Sequence, residues 1–571
     1  ADASGAQAAR GRRRERGGWA AAREAHGSLG DLHAAATAEV HARLGEVLYA
    51  QHAHYAGPCG HSHSLLEERL SAAAALDSNG TVPSELIEQA ITSVVMHEVG
   101  HTLGLRHNFK GSAAYSLEQL ANESFTRQHG LTSSVMDYLP PFLPSNESLQ
   151  TGVYYSPVVG AYDKWAIEYG YSPVRGEVSG EQHPALRAIA SRGSLSPALA
   201  FATDEDSPRS DGADPLTNLY DLGDPLSFHE DQLALAQRLL VEVADRTVRP
   251  GEPWTRQLRA VKSLMRSALR AGVYSAKYVG GYVFSKAHRG DVGAAAAASP
   301  VGAAEQRRAL SLALAVISQS FWLPAARAAR HIVKRVGWCD GIDQYCLGLS
   351  TADILSEALD TRKLVLLALV RTERLRGLMH HEWQADDDND DDSSWDPSLM
   401  EASARHGAWV QAPPEVFLGD SLREGLSVTT VLRAIDSALG MPTNLTKLLH
   451  EPLVDVKMRY EMQRMWVGVL AALSTSGCSE SAAVSTRLLG ALAVEVRERL
   501  ERQHAAAAAS RQRAADWTGL DLELDLDAAG TRSGRKRSAA RDSYQTHLAS
   551  LEYMLSLWAR GVAVPPVVKG D

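Results

Sequence analysis

The sequence has few cysteines and no apolar run long enough to cross a membrane. Only four cysteines occur in 571 residues, and they lack the paired spacing of a zinc ribbon, so a disulfide scaffold is not expected. Cys339 and Cys346 are close enough in sequence to close a small loop in an oxidising compartment. The longest apolar runs, residues 310–323 and 363–370, fall short of the roughly 20 residues that a bilayer requires. We therefore expect no transmembrane span.

Excess positive charge is also lacking. The formal net charge is −10, and six of the negative charges come from aspartates in one run at residues 386–392. Like charges repel, so we interpret this run as a solvated loop rather than an ion site. Two short basic runs, residues 10–16 and 534–538, are interpreted as solvated tails. Nucleic acid is therefore not expected as a partner.

Helical periodicity dominates what is present. Apolar residues recur at three- and four-residue spacing in residues 230–248, 303–321, 351–375 and 481–503. Period-2 alternation is not found in residues 1–83. The sequence therefore predicts a mainly α protein, α+β overall.

Three histidines with a fixed spacing lie in SVVMHEVGHTLGLRHNF, residues 93–109. On a helix, His97 and His101 share one face and can point at one ion. Gly104 permits an abrupt end to the helix because it accepts a positive φ, and the chain can then return His107 to the same ion. Three nitrogen ligands with one open position are typical of a catalytic zinc site.

Glu98 adjoins the first histidine and is predicted to stay off the metal. Zinc lowers the pKa of a bound water to about 7, so a nearby carboxylate can accept the proton and later pass it to a leaving nitrogen. We expect Glu98 to be this general base.

These residues resemble the metzincin clan of zinc endopeptidases, whose HExxHxxGxxH motif is followed by a methionine-containing turn. SSVMDYLP, residues 133–140, is similar to that turn. The resemblance implies that Met136 forms an apolar floor under the imidazoles. It also implies that Tyr138 approaches the zinc or the developing oxyanion, whereas the alternative is a turn tyrosine packed on the surface.

Within the clan, residues 80–300 resemble bacterial zinc-dependent metalloproteases with a long helical C-terminal region. We predict five segments, namely an N-terminal segment (1–83), a metzincin-like zinc catalytic core (84–175), a helical C-terminal domain (176–504), a low-complexity linker (505–540) and a terminal helix with a tail (541–571). The resemblance also implies a sheet before the active-site helix. Because no such strands are found, we expect that sheet to be truncated or weak.

Two further metal sites are alternatives to solvated loops. One is a structural Ca²⁺ bound by acidic residues of a later loop, which are Asp204, Glu205, Asp206, Asp211, Asp214, Asp221 and Asp224. The other is a second metal, or a thiolate cap on the zinc, from a cluster near the N-terminus, which comprises His52, His54, Cys59, His61 and His63.

The leading hypothesis is a zinc-dependent endopeptidase acting on a protein or peptide substrate. The alternative is a catalytically impaired, protease-like scaffold with a structural zinc and a helical partner-binding region. Four N-x-[ST] glycosylation acceptors, at Asn79, Asn122, Asn146 and Asn444, favour a secretory location, and the alternative is that these matches arise by chance. The sequence predicts neither the oligomeric state nor the cleavage preference.

Overall fold

A computed structural model describes most of the chain from Val82 onwards. It covers residues 82–174, 183–206, 214–251, 255–289, 296–318, 354–387, 426–439, 453–476, 479–515 and 532–560, with 291, 293, 321 and 322. The predicted N-terminal sheet, the histidine and cysteine cluster at residues 52–63, and all four cysteines lie outside these residues.

The described residues separate into two compact units. Residues 82–438 belong to the first and residues 439–560 to the second. The division falls inside the segment 176–504, for which the sequence predicts one helical domain. The predicted boundaries themselves stay a prediction.

The first unit begins with the helix that carries the histidine motif. In chain order its first helices are α1 (Ser84–Thr102), α2 (Leu117–Leu120), α3 (Glu123–His129), α4 (Ala161–Tyr171) and α5 (Pro184–Ala190). Short 3-10 turns lie at Ser112–Ala114, Glu147–Leu149, Ser191–Ser194, Pro197–Leu199 and Asp204–Asp206. Irregular chain therefore makes up much of the region around the motif.

Longer helices follow in the same unit. They are α6 (Pro225–Thr247), α7 (Thr255–Ala276), α8 (Ala303–Ile317), α9 (Ile354–Leu369), α10 (Thr372–Asp387) and α11 (Val428–Ala438). Helix α7 packs against α6, α8 and α9, and its buried apolar residues recur every three or four positions, as at Val261, Leu264, Ala268 and Ala271. This helix is therefore the centre of the helical layer.

One small sheet occurs within the described residues. Strands β1 (Tyr282–Phe284) and β2 (Ala298–Pro300) pair antiparallel, with Tyr282 opposite Pro300 and Phe284 opposite Ala298. The rest of the regular secondary structure within the described residues is helical, so the mainly α fold class is confirmed.

The second unit contains three described helices. Helices α12 (Leu453–Ser476), α13 (Ser479–Ala515) and α14 (Arg532–Ala559) each pack against the other two. Helix α13 extends past residue 505 and α14 begins before residue 540, so helical residues occupy both ends of the predicted linker. Within the described part of both units, no helix is long and apolar enough to span a membrane.

The core near the motif joins residues from both sides of the predicted boundary at 175. One buried cluster combines Leu120, Leu131 and Phe142 with Leu222 and Phe228. Residues of α6 and of the loop before it therefore complete the packing of the segment that follows α1. This shared core brings the acidic loop close to the histidine motif.

Candidate metal centre

Helix α1 presents two histidines and then ends abruptly. His97 and His101 lie one turn apart, and their ring centroids are 4.8 Å from each other. The amide of Leu105 donates to the carbonyl of Gly100 at 3.0 Å, and the amide of Gly104 donates to that of His101 at 3.0 Å. This pair of bonds is a Schellman motif, and Gly104 takes the required left-handed conformation with a φ of 85°.

His107 returns to the same place after this turn. Its ring centroid lies 5.3 Å from that of His97 and 4.9 Å from that of His101. Ligand atoms of the three side chains all lie within 4.8 Å of one another. Among the described residues this is the one group of three or more His, Cys, Asp or Glu side chains that is able to hold a metal ion.

Each of the three rings is oriented through its Nδ1 atom. The Nδ1 of His97 lies 2.8 Å from the carbonyl oxygen of Val135, and that of His101 lies 3.0 Å from the carbonyl oxygen of Leu105. His107 Nδ1 lies 3.0 Å from both carboxylate oxygens of Asp204. Because these acceptors require a proton on Nδ1, each neutral ring keeps its lone pair on Nε2.

The donor set fits zinc in a second respect. The Nε2 atom of His101 is buried and has no hydrogen-bond partner within the described residues. A buried nitrogen without a hydrogen-bond partner or a bound ion destabilises the folded state, because it has lost its contact with water. Three imidazole nitrogens are also a donor set that zinc accepts, so these residues fit the ion.

The two residues with predicted catalytic roles differ in exposure. Glu98 follows His97 on α1, and its side chain is exposed. Tyr138 is buried, and its hydroxyl lies 2.9 Å from His107 Nε2. The tyrosine therefore lies beside the histidine triad and not on the surface, which was the alternative interpretation.

Met136 is fully buried against α1. A Cβ added to Gly100 would lie only 2.2 Å from the Met136 sulfur, so only glycine allows this approach. Gly100 sits between His97 and His101, which places the methionine against the ligand-bearing turn. The motif spacing alone does not point to Gly100, although a glycine inside a helix costs about 1 kcal/mol and its presence therefore suggests a close packing contact.

The turn around Met136 is held by a buried aspartate on α4. The Asp163 carboxylate accepts hydrogen bonds from Ser134 Oγ at 2.6 Å, from the Val135 amide at 2.8 Å and from the Gly160 amide at 3.0 Å. Burial raises the pKa of Asp163, and these hydrogen bonds oppose the increase. Since the Val135 carbonyl orients His97 and the Val135 amide donates to Asp163, Asp163 is linked to that ring through a single residue.

The loop after His107 pairs with residues about 90 positions later. The Asn108 side chain bonds both Ala200 and Ala202 through their main chains, and the Phe109 amide donates to the Ala202 carbonyl at 2.7 Å. The Tyr220 amide donates to the Tyr138 carbonyl at 2.8 Å. Ala200, Ala202 and Tyr220 therefore support the third histidine and the methionine turn.

A buried polar cluster completes this support. Ser112 contacts two carboxylates, with its amide 2.7 Å from Asp137 Oδ2 and its hydroxyl 3.0 Å from Asp221 Oδ1. Burial raises the pKa of Asp221 to about 6. Burial and repulsion from Asp221 raise that of Asp137 well above its ordinary value.

The acidic residues considered for calcium are engaged by protein groups. Arg106 Nη2 lies 2.7 and 2.8 Å from the two Glu205 oxygens, and Lys110 Nζ lies 2.7 Å from Asp214. The hydrogen bond from His107 lowers the pKa of Asp204, because it stabilises the charged carboxylate. Within the described residues, the acidic side chains with such partners are Asp204, Glu205, Asp206, Asp214, Asp221 and Asp224. Asp211 lies outside them, and calcium has no support from this arrangement.

Comparison with known proteins gives one family. A family model described as Met-zincin matches residues 79–398, which is more than half of the chain. The matched stretch contains the three histidines, the methionine turn and the acidic loop. No curated protein and no solved structure matches the chain.

Proposed function

This chain belongs to the Met-zincin family, and on that premise we propose that it is a zinc-dependent endopeptidase that hydrolyses peptide bonds. The observation that carries the proposal is the convergence of three histidines whose ligand atoms lie within 4.8 Å of one another. The Nδ1 contacts support it as well, because they leave each Nε2 able to bind a cation.

His97, His101 and His107 would hold one zinc ion. When bound, zinc supplies a Lewis acid that polarises a carbonyl and lowers the pKa of water, so that the water can lose a proton and attack that carbonyl at neutral pH. Gly104 serves this ligand set by ending α1, and Met136 serves it by packing under the turn that joins the first two ligands.

Glu98 and Tyr138 are proposed as the catalytic side chains. Glu98 accepts a proton from the attacking water and delivers it to the leaving amide nitrogen. The Tyr138 hydroxyl, beside His107 Nε2, donates a hydrogen bond to the oxygen that becomes negative in the transition state. Removing such a donor typically costs about 3 kcal/mol of transition-state stabilisation.

Exchanging Glu98 for glutamine tests this assignment. Glu98→Gln keeps the size of the side chain but cannot accept the proton, so hydrolysis of a peptide library should fall by at least about 100-fold. Zinc content, measured by atomic absorption, should stay at one ion per chain. Glu118→Gln, which changes an exposed acid on α2, is the matched control and should cleave like the wild type.

The outcome also separates the two hypotheses. A scaffold with a structural zinc would contain the ion and cleave no peptide in either form. A wild-type protein that holds no zinc, or a Glu98→Gln protein that cleaves at the wild-type rate, would contradict the endopeptidase proposal. Chelation should abolish cleavage, and added zinc should restore it.

A further inference from the structure

One of the three histidines has a different kind of hydrogen-bond acceptor at its Nδ1 atom. The rings of His97 and His101 contact neutral main-chain carbonyls, whereas His107 contacts a carboxylate. Both oxygens of Asp204 lie 3.0 Å from His107 Nδ1. A hydrogen bond with an ionised acceptor is roughly twice as strong as one between neutral groups.

Three acidic residues form one short turn here, and each contacts a basic side chain. Asp204 begins the 3-10 turn Asp204–Asp206. Arg106, next to His107 in the chain, donates hydrogen bonds from its Nη2 atom to both carboxylate oxygens of Glu205. At the other end of the turn, Lys286 lies 2.5 Å from Asp206, which also accepts a hydrogen bond from the Thr203 amide at 2.9 Å.

The His107 ring is buried, whereas the Asp204 side chain lies at the protein surface. The His107 side chain is 6% exposed, and that of Asp204 is 51% exposed. An isolated ion pair with this exposure contributes little to folding stability. A contact with the rear nitrogen of a metal ligand has a different consequence, because it fixes the ring plane and makes the front nitrogen a better donor.

We propose that Asp204 is a positioning residue of the metal centre, which orients His107 and raises the affinity of the three-histidine site for zinc. The inference rests on the proposed function, since it assumes that the triad binds a metal. Of the three acids in the turn Asp204–Asp206, only Asp204 contacts His107 and takes this role. Asp204 itself stays off the metal and takes no part in proton transfer.

The test compares Asp204→Asn with Glu205→Gln. Asparagine keeps the shape of the side chain but removes its charge, whereas Glu205→Gln removes a neighbouring charge that contacts only Arg106 among the described side chains. Zinc affinity is measured by competition with a chromophoric chelator. We expect Asp204→Asn to weaken binding about 10- to 100-fold, and Glu205→Gln to change it by less than about threefold.

A second readout separates positioning from a structural role. The visible absorption of the Co²⁺-substituted protein reports the strength and geometry of the ligand nitrogens, and its bands should shift in Asp204→Asn but not in Glu205→Gln. The thermal midpoint of the metal-free protein should be nearly the same in all three proteins.

Three results would overturn the proposal. They are an unchanged zinc affinity in Asp204→Asn, an equal loss in Glu205→Gln, and a metal-free Asp204→Asn protein that no longer folds. A wild type that binds no metal would instead contradict the proposed function, so the two failures are distinguishable.

Discussion

At the residue scale, Gly104 determines where the third histidine lies. Its φ of 85° allows the Schellman motif at the end of α1, and among the described residues no atom beyond its two chain neighbours lies within 4 Å of the place where a Cβ would be. The requirement for glycine is therefore conformational and not steric. Six more helical residues after His101 would carry His107 away from the other two rings.

Replacing this glycine should weaken metal binding. Gly104→Ala forces an L side chain into the left-handed region, which costs about 1 to 2 kcal/mol of stability. Part of that strain is relieved by moving the turn, so zinc affinity should fall several-fold when measured by chelator competition.

Gly251 provides a matched control for this change. It has a φ of 91°, and within the described part of the chain no atom beyond its neighbours lies within 4 Å of the place of a Cβ, but it lies in the connection between α6 and α7. Gly251→Ala should lose similar stability and keep the wild-type zinc affinity. Equal zinc affinity in Gly104→Ala and the wild type would show that the turn does not position His107.

At the element scale, local patterns were predictable and distant pairings were not. The helix with His97 and His101, its end before Gly104 and the main C-terminal helices follow from spacings within about ten residues. The contact of Asp204 with His107 spans 97 residues, and that of Asp163 with Val135 spans 28. No local spacing encodes such partners, because they depend on how irregular segments pack.

The acidic loop illustrates this limit. Its aspartates and glutamate suggested a calcium site, because carboxylate oxygens are typical Ca²⁺ ligands and the sequence does not show which basic residues lie near them. The structure supplies those partners as Arg106, Lys110 and Lys286. Only the three-dimensional fold brings the basic residues to the acids.

At the scale of the whole molecule, each of the two compact units buries a histidine. Burial lowers the pKa of His229 to about 3 in the first unit, and that of His547 to about 3 in the second. An unfolded histidine titrates near 6.5, so the folded state binds fewer protons below that pH. The stabilisation from each neutral ring is complete above pH 6.5 and is lost as the pH falls towards 3.

The two histidines should therefore destabilise their units in acid, whereas Asp221, with its pKa raised to about 6, offsets part of this loss in the first unit. Between pH 7.5 and 5, each buried histidine should reduce the free energy of unfolding by about 2 kcal/mol. Urea unfolding of metal-free protein measures the effect, with His229→Phe as the variant that removes one of the two titrating groups. If the variant lost as much stability as the wild type over this range, His229 would not be the source of the dependence.

The most direct test of the whole account is zinc K-edge X-ray absorption of the purified protein. We predict three imidazole nitrogens at about 2.0 to 2.1 Å from the zinc, with any further ligand an oxygen. His107→Ala should lower the imidazole count to two. A sulfur ligand near about 2.3 Å, or a spectrum that His107→Ala leaves unchanged, would contradict a site built from His97, His101 and His107.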